Sequence, residues 1–438
     1  MPRFAPLPFL LASCLATSLA LTPACLKQHG DTTADEDEGK DFTVGRFAFR
    51  RLSEAEEAVA KKDYEKAKKA LEQMKESDDL NKHEQALMWQ MYGNIYAAEE
   101  NYPAAVEALQ RCYDLDMLPS TSQRTVEFNL GQLYVMTGKY KKAIALLEAW
   151  LKQSKGEPSP QLRLMLANAY VQVKDYKGAL PHAEALFKDA KVADESLLQL
   201  MLAIRFELEQ YDKVVEILTE LVERFPKKEY WLQLSAAHGQ LKDHRRALAV
   251  LELANRQGLL EKESELVMLA QSYLSQELPL QAAELLDKEM EAGRVEPSQK
   301  NLELLANAWM AAREGDKALK VLEQAAKKAQ TGEPFMRLGQ LQMQQERWAQ
   351  ALSALQRALK KGKLKNEGKA HLLLGNANYE LGNRAAARQA FQRAMKDEKS
   401  RAGASRFLEV MQREDETCPT GKEAACGLIP GRGASAKK

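Results

Sequence analysis

The sequence predicts an all-α solenoid of about ten antiparallel helix pairs, and three observations carry that prediction. A small residue recurs at positions 55, 93, 131, 167, 235, 270, 306, 339 and 375, with Leu202 in the one weaker place, at intervals of 33 to 38 residues. Self-similarity at that period marks a stacked repeat. Each position is followed twelve residues later by Ala, or by Val214 in the weaker unit, so two helices in every unit can cross at short distance. The 438 residues are 45% hydrophobic and 29% charged, with only 23 Gly and 15 Pro, an ordered profile that excludes disorder and a collagen-like fibre.

From the N-terminus, residues 1–24 read as a signal peptide. Arg3 precedes an apolar run from Phe4 to Leu21, and Thr22-Pro23-Ala24 offers a small residue before the cut, the three-part layout of an export signal. Pro6 and Pro8 interrupt a run already too short for a spanning helix. The mature chain is then expected to begin at Cys25 and to lie in the periplasm. Cys25 is also the candidate for lipidation, although Leu11-Ala12-Ser13-Cys14 resembles a lipobox more closely. Residues 25–43, with Asp35-Glu36-Asp37-Glu38, are expected to be an acidic flexible linker.

The array is predicted over residues 44–399. Its clearest unit is Trp89-x2-Tyr92-Gly93-x2-Tyr96, followed by Ala105 and Leu109. Leu130-Gly131-x2-Tyr134 pairs with Ala143, Leu166-Ala167-x2-Tyr170 with Ala179, Leu269-Ala270-x2-Tyr273 with Ala282, and Leu305-Ala306-x2-Trp309 with Ala318. Gly138, Lys174-Asp175 and Gly382-Asn383 mark turns, where Gly or Asn can take the left-handed conformation that ends a helix. Each pair alone exposes an apolar face, so neighbours must stack into a continuous core. Residues 400–413 carry Phe407, Leu408 and Met411 at helical spacing and are expected to form a capping helix. Residues 414–438 are expected to be a flexible tail.

These motifs resemble the tetratricopeptide repeat. The resemblance implies an interaction scaffold whose first helices line a concave face. Residues directly after the small position are expected there: Asn94, Gln132, Asn168, Gln271, Asn307, Gln340 and Asn376. Their amides can donate to and accept from an extended peptide backbone. Three positions before the small residue, the same face offers Phe128 and Leu232. The groove implied by the resemblance therefore suits a mixed polar and apolar peptide. A related carboxylate clamp is not expected, because Asn94 and Asn129 match its two Asn while Gln90, Gln161 and Met165 occupy its cationic positions.

Other functions find little support. Lys+Arg number 63 against 62 Asp+Glu, so the chain lacks the positive field of a general nucleic-acid binder. The six His are scattered with no metal-ligand spacing, and Cys418 and Cys426 do not form a Cys-x2-Cys knuckle. Gly431-Arg432-Gly433 lacks the strand and helix of a dinucleotide loop, and no nucleophile elbow occurs. No enzyme activity, cofactor or small-molecule substrate is expected. In an oxidising compartment Cys418 and Cys426 are expected to form a disulfide, with two free thiols as the alternative, while Cys112 stays reduced in the core.

A narrower resemblance rests on Pro226-Lys-Lys-Glu-Tyr-Trp-Leu-Gln-Leu-Ser235, Arg256-Gln-Gly-Leu-Leu260 and Lys300-Asn-Leu-Glu-Leu-Leu-Ala-Asn-Ala-Trp309. Residues 227–326, and more weakly 51–399, are similar to exported tetratricopeptide proteins encoded beside ExbB, ExbD and TonB in Gram-negative bacteria. That resemblance implies a periplasmic scaffold binding TonB or ExbD segments during iron-chelate uptake, with membrane contact only through a lipid anchor or partners. The rival reading is a lipoprotein scaffold in pilus, secretion or envelope assembly.

Overall fold

Helices follow one another in pairs because each turn between two helices is built the same way. In all ten pairs the residue seven after the small position is left-handed: Gly138 and Gly382 in two, and Lys62, Glu100, Lys174, Glu209, Lys242, Glu277, Arg313 and Glu346 in the others, at φ from 57 to 62°. The next amide then bonds back to the carbonyl five residues earlier, as from Asp63 to Ala58 and Asp175 to Tyr170 at 2.8 and 2.9 Å. This closes the first helix. Asp63, Asn101, Asp175 and Asp243 cap the start of the second by accepting from the backbone N–H three residues on, which satisfies donors a helix start leaves open. At Gly382-Asn383 the glycine takes the expected left-handed conformation, and Asn383, at φ −79°, directly precedes the next helix.

The structure, a computed structural model, describes residues 37, 39–153, 158–189 and 193–417. The signal segment 1–24, Cys25, and residues 418–438 with Cys418 and Cys426 lie outside the described residues. The described residues form twenty-one helices and no strand, so the fold is all-α. The chain divides at Leu221/Val222 into two units. The first holds α1 (Arg46–Ala60), α2 (Tyr64–Lys75), α3 (Lys82–Ala98), α4 (Tyr102–Leu115), α5 (Ser120–Met136), α6 (Tyr140–Gln153), α7 (Pro160–Gln172), α8 (Tyr176–Asp189) and α9 (Glu195–Glu207). Helix α10 (Tyr211–Arg224) crosses the division. The second holds α11 (Lys228–Gln240), α12 (His244–Arg256), α13 (Glu263–Ser275), α14 (Pro279–Glu291), α15 (Gln299–Ala311), α16 (Gly315–Lys328), α17 (Glu333–Gln344), α18 (Trp348–Lys361), α19 (Glu367–Glu380), α20 (Arg384–Ala394) and α21 (Glu398–Thr417).

Within the first unit α1 pairs with α2, α3 with α4, α5 with α6 and α7 with α8, and each pair also touches the next. The fully buried Leu109, Leu130, Leu147 and Leu166 belong to one core running from α3 to α7, each stabilising by about 1.5–3 kcal/mol through burial. The small positions are the crossing points. A Cβ on Gly93 would stand 2.3 Å from Leu109 Cδ2, and one on Gly131 2.4 Å from Leu147 Cδ2. In the second unit α11 to α20 repeat the arrangement, and a Cβ on Gly375 would stand 2.5 Å from the Phe391 ring.

Both ends depart from expectation. The linker was expected to be flexible through residue 43, but its described end is docked. Asp37 Oδ1 accepts from Ser120 N at 3.0 Å, capping α5 where Pro119 has no side chain to do so. Lys40 pairs with Asp116 at 3.1 Å, Phe42 meets His83 edge-on at 5.2 Å, and Glu84 accepts from Gly45 N at 2.8 Å. At the other end, α21 is longer than the expected 400–413. Residues 414–417 are helical because Arg384 bonds Glu414 and Asp415 at 2.8 and 2.7 Å, and α21 packs on α19 and α20.

Candidate functional site

The face expected to bind peptide is set by helix geometry. Gly93, Gly131 and Ala167 are turned into the crossing with the second helix, and the next residue, about 100° further round, leaves it. Asn94 on α3, Gln132 on α5 and Asn168 on α7 are accordingly half-buried in the first unit. In the second unit Asn307 on α15 is exposed and Asn376 on α19 half-buried, as is Gln340 on α17, while Gln271 on α13 is exposed. Among the described residues, none of these seven amide side chains makes a hydrogen bond within the chain. The first unit thus presents three amides on successive first helices, and α5 touches α7 directly.

The two apolar candidates differ in setting. Leu232 on α11 is half-buried. Phe128 is engaged by its own pair, its ring centroid 5.3 Å from that of Trp150. Trp150 Nε1 donates to Arg124 O at 3.0 Å, and the Arg124 guanidinium lies 5.2 Å from the indole centroid. Phe128 is therefore a fixed apolar patch, held from α6.

Titratable groups with displaced pKa values serve the packing. Burial pushes the Cys112 thiol up to about 12 despite a backbone hydrogen bond with Gln90, so little thiolate forms near neutrality. Tyr170 is pushed up to about 12 by burial and by its hydrogen bond to Glu148 at 3.0 Å. Glu148 also meets His182 Nε2 at 3.0 Å, tying α6, α7 and α8 together. Among the described residues, no cluster of three His, Cys, Asp or Glu could hold a metal ion, and no helix is long and apolar enough to cross a membrane.

The residues that the sequence reading missed are Gln342 and Glu323, at a cleft among α16, α17 and α18. Their signal was an absence. Three residues after the small position five units carry Tyr96, Tyr134, Tyr170, Tyr273 or Trp309, four others carry Ala58, Arg205, His238 or Asn378, and this unit carries Gln342.

The fold and this face define an all-α helix-pair repeat protein with open amides along its first helices. Residues 86–116 and 336–403 each match a tetratricopeptide repeat family. No curated protein matches the chain. Among solved structures it is similar to a tetratricopeptide repeat protein from Parabacteroides merdae ATCC 43184, at 17% identity and a TM-score of 0.33, over 60% of this chain and 99% of that one. It is also similar to YrrB, a tetratricopeptide protein with an unusual peptide-binding site, at 20% identity and a TM-score of 0.32, over 42% and 88%. A third is MamA from AMB-1, at 22% identity and a TM-score of 0.33, over 39% and 90%.

Proposed function

We propose that the protein is a non-catalytic periplasmic scaffold that holds an extended segment of a partner protein against its first helices. The observation that carries this reading is the series of amides at equivalent positions, Asn94, Gln132 and Asn168 in the first unit and Asn307 and Asn376 in the second, none engaged within the chain. An extended strand carries alternating N–H and C=O groups that need such partners. In the first unit Phe128 supplies apolar surface for its side chains. The resemblance of residues 227–326 to proteins encoded beside ExbB, ExbD and TonB supports periplasmic segments of TonB or ExbD as that partner. Ordering a flexible segment offsets part of the contact energy, so the expected affinity is modest.

The test is a crosslinking pull-down with purified TonB and ExbD periplasmic domains, using wild type and an Asn94→Ala/Asn168→Ala double variant. Capture by wild type and its loss in the variant, with an unchanged melting curve, is expected. A deletion strain should take up iron chelates more slowly without losing uptake. Capture of neither domain together with normal uptake would overturn the TonB reading. A lipid-modified Cys25 found by mass measurement in that case would move the role to pilus, secretion or envelope assembly.

A further inference from the structure

The second unit contains a cavity of about 480 Å³ among α16, α17 and α18. Its lining includes Phe335, Leu338, Gln342 and Ala354, with Glu323, Lys327 and Arg357 among the charged residues. Gln342 is only 4% exposed, and its Oε1 is buried without a hydrogen-bond partner, a costly state for an amide.

The first unit shows what is missing. Three residues after Gly131, Tyr134 donates its hydroxyl to Gln110 of the preceding pair. Three residues after Ala167, Tyr170 donates to Glu148 of the preceding pair. Gln110 and Glu148 each stand five residues beyond the second small residue of their unit, Ala105 and Ala143. Glu323 holds that same register after Ala318, but the position that would supply the phenol is Gln342. The acceptor is kept while its aromatic donor is absent.

We propose that this cleft receives a tyrosine side chain from a partner peptide bearing carboxylates on either side of that tyrosine. The ring lies on Phe335 and Leu338, and its hydroxyl donates to Glu323, as Tyr170 does to Glu148. The terminal torsion of a Gln is soft, so Gln342 Oε1 can turn to meet a backbone N–H of the guest. Lys327 and Arg357 are exposed and, among the described residues, form no ion pair, which leaves two cations for the flanking carboxylates. This site is separate from the amide-bearing first-helix face and stands whether or not that face binds peptide.

Saturation-transfer NMR on the full chain, with the peptide acetyl-Glu-Glu-Tyr-Glu-Glu-amide titrated to ~5 mM, reads millimolar binding directly. Transfer to the tyrosine ring protons is expected, and the Phe analogue should bind about 3–10-fold more weakly for want of the hydroxyl. Glu323→Ala, on an exposed side chain, should bring the Tyr-to-Phe ratio close to one whatever it does to affinity through charge. Gln342→Tyr restores the repeat's own ring and should weaken binding at least about 10-fold while raising the melting temperature. Asn94→Ala/Asn168→Ala should leave this binding unchanged, so the two readings fail independently. Equal binding of the Tyr and Phe peptides, an unchanged ratio in Glu323→Ala, or no transfer at all overturns the proposal. Self-association of the chain that Gln342→Tyr abolishes would assign the cleft to a second copy and overturn the peptide assignment.

Discussion

Gly131→Ala tests the crossing geometry at one atom. The new Cβ would lie 2.4 Å from Leu147 Cδ2 and 2.7 Å from Cγ, and Leu147 is fully buried, so the leucine must move within a filled core. Overpacking of that kind costs about 1–3 kcal/mol, while replacing a mid-helix Gly by Ala gains ~1 kcal/mol. The expected net change is a loss of up to about 2 kcal/mol. Gly239 on α11 has nothing within 4 Å of its would-be Cβ, so Gly239→Ala should show only the gain. Leu147→Ala alone should cost about 2–5 kcal/mol. In that background Gly131→Ala should become stabilising by ~1 kcal/mol, because the clashing atoms are gone. Repeat arrays unfold piecewise, so amide hydrogen exchange across α5 and α6 reads the effect locally, beside urea denaturation. If Gly131→Ala stabilises the wild type and the Leu147→Ala background equally, the close crossing does not constrain this position.

The turns should respond to glycine: Glu277→Gly, at a left-handed residue of φ 57°, should raise stability by about 0.5–1 kcal/mol in thermal melts, whereas Gly138→Ala should lower it by ~1 kcal/mol. Glu265 is buried, which by itself would raise its pKa, but the N–H groups of Lys262 and Glu261 and the Lys228 ammonium outweigh burial and hold the carboxyl below its usual range. It therefore stabilises the fold above its unfolded pKa and loses that contribution as pH falls through the folded value. Melting curves from pH ~7 to ~3 should show a shallower acid loss in Glu265→Gln than in wild type. Alkylation with peptide mapping of protein isolated under oxidising conditions should leave Cys112 unmodified until denaturant is added and find Cys418 joined to Cys426. Free thiols at both tail positions would rule out that disulfide.

What could be read in the sequence was whatever repeats. Gly131 with Ala143, or Ala167 with Ala179, betrays two helices because close crossing leaves few side chains to choose from. The turns were legible where Gly138, Lys174-Asp175 and Gly382-Asn383 stand, but the left-handed residue itself only at Gly138 and Gly382. Elsewhere Lys, Glu or Arg adopts the same backbone, because the helices on either side over-determine the turn and absorb its local cost. Asp37 could be read as one of four adjacent acids, but its bond to Ser120 lies 83 residues away, beyond any local pattern. Helical phase puts Asn94, Gln132 and Asn168 outside the crossing, while the expectation that their face binds peptide came from the family resemblance. The engagement of Phe128 by Trp150 depends on a side chain across the pair, and the cleft at Gln342 depends on a ring that is not there.

The docked segment from Asp37 to Gly45 also decides where mechanical load enters the array. A pull exerted through the residues before Asp37 does not reach α1 first. It arrives at the Asp37–Ser120 and Lys40–Asp116 contacts, at the turn that opens the third helix pair. Those contacts and the Glu84–Gly45 bond lie between the pull and α1, so the first two pairs are shielded until they part. Tension on the N-terminal side would thus be carried by the middle of the first unit before it could peel helices away one at a time from the end.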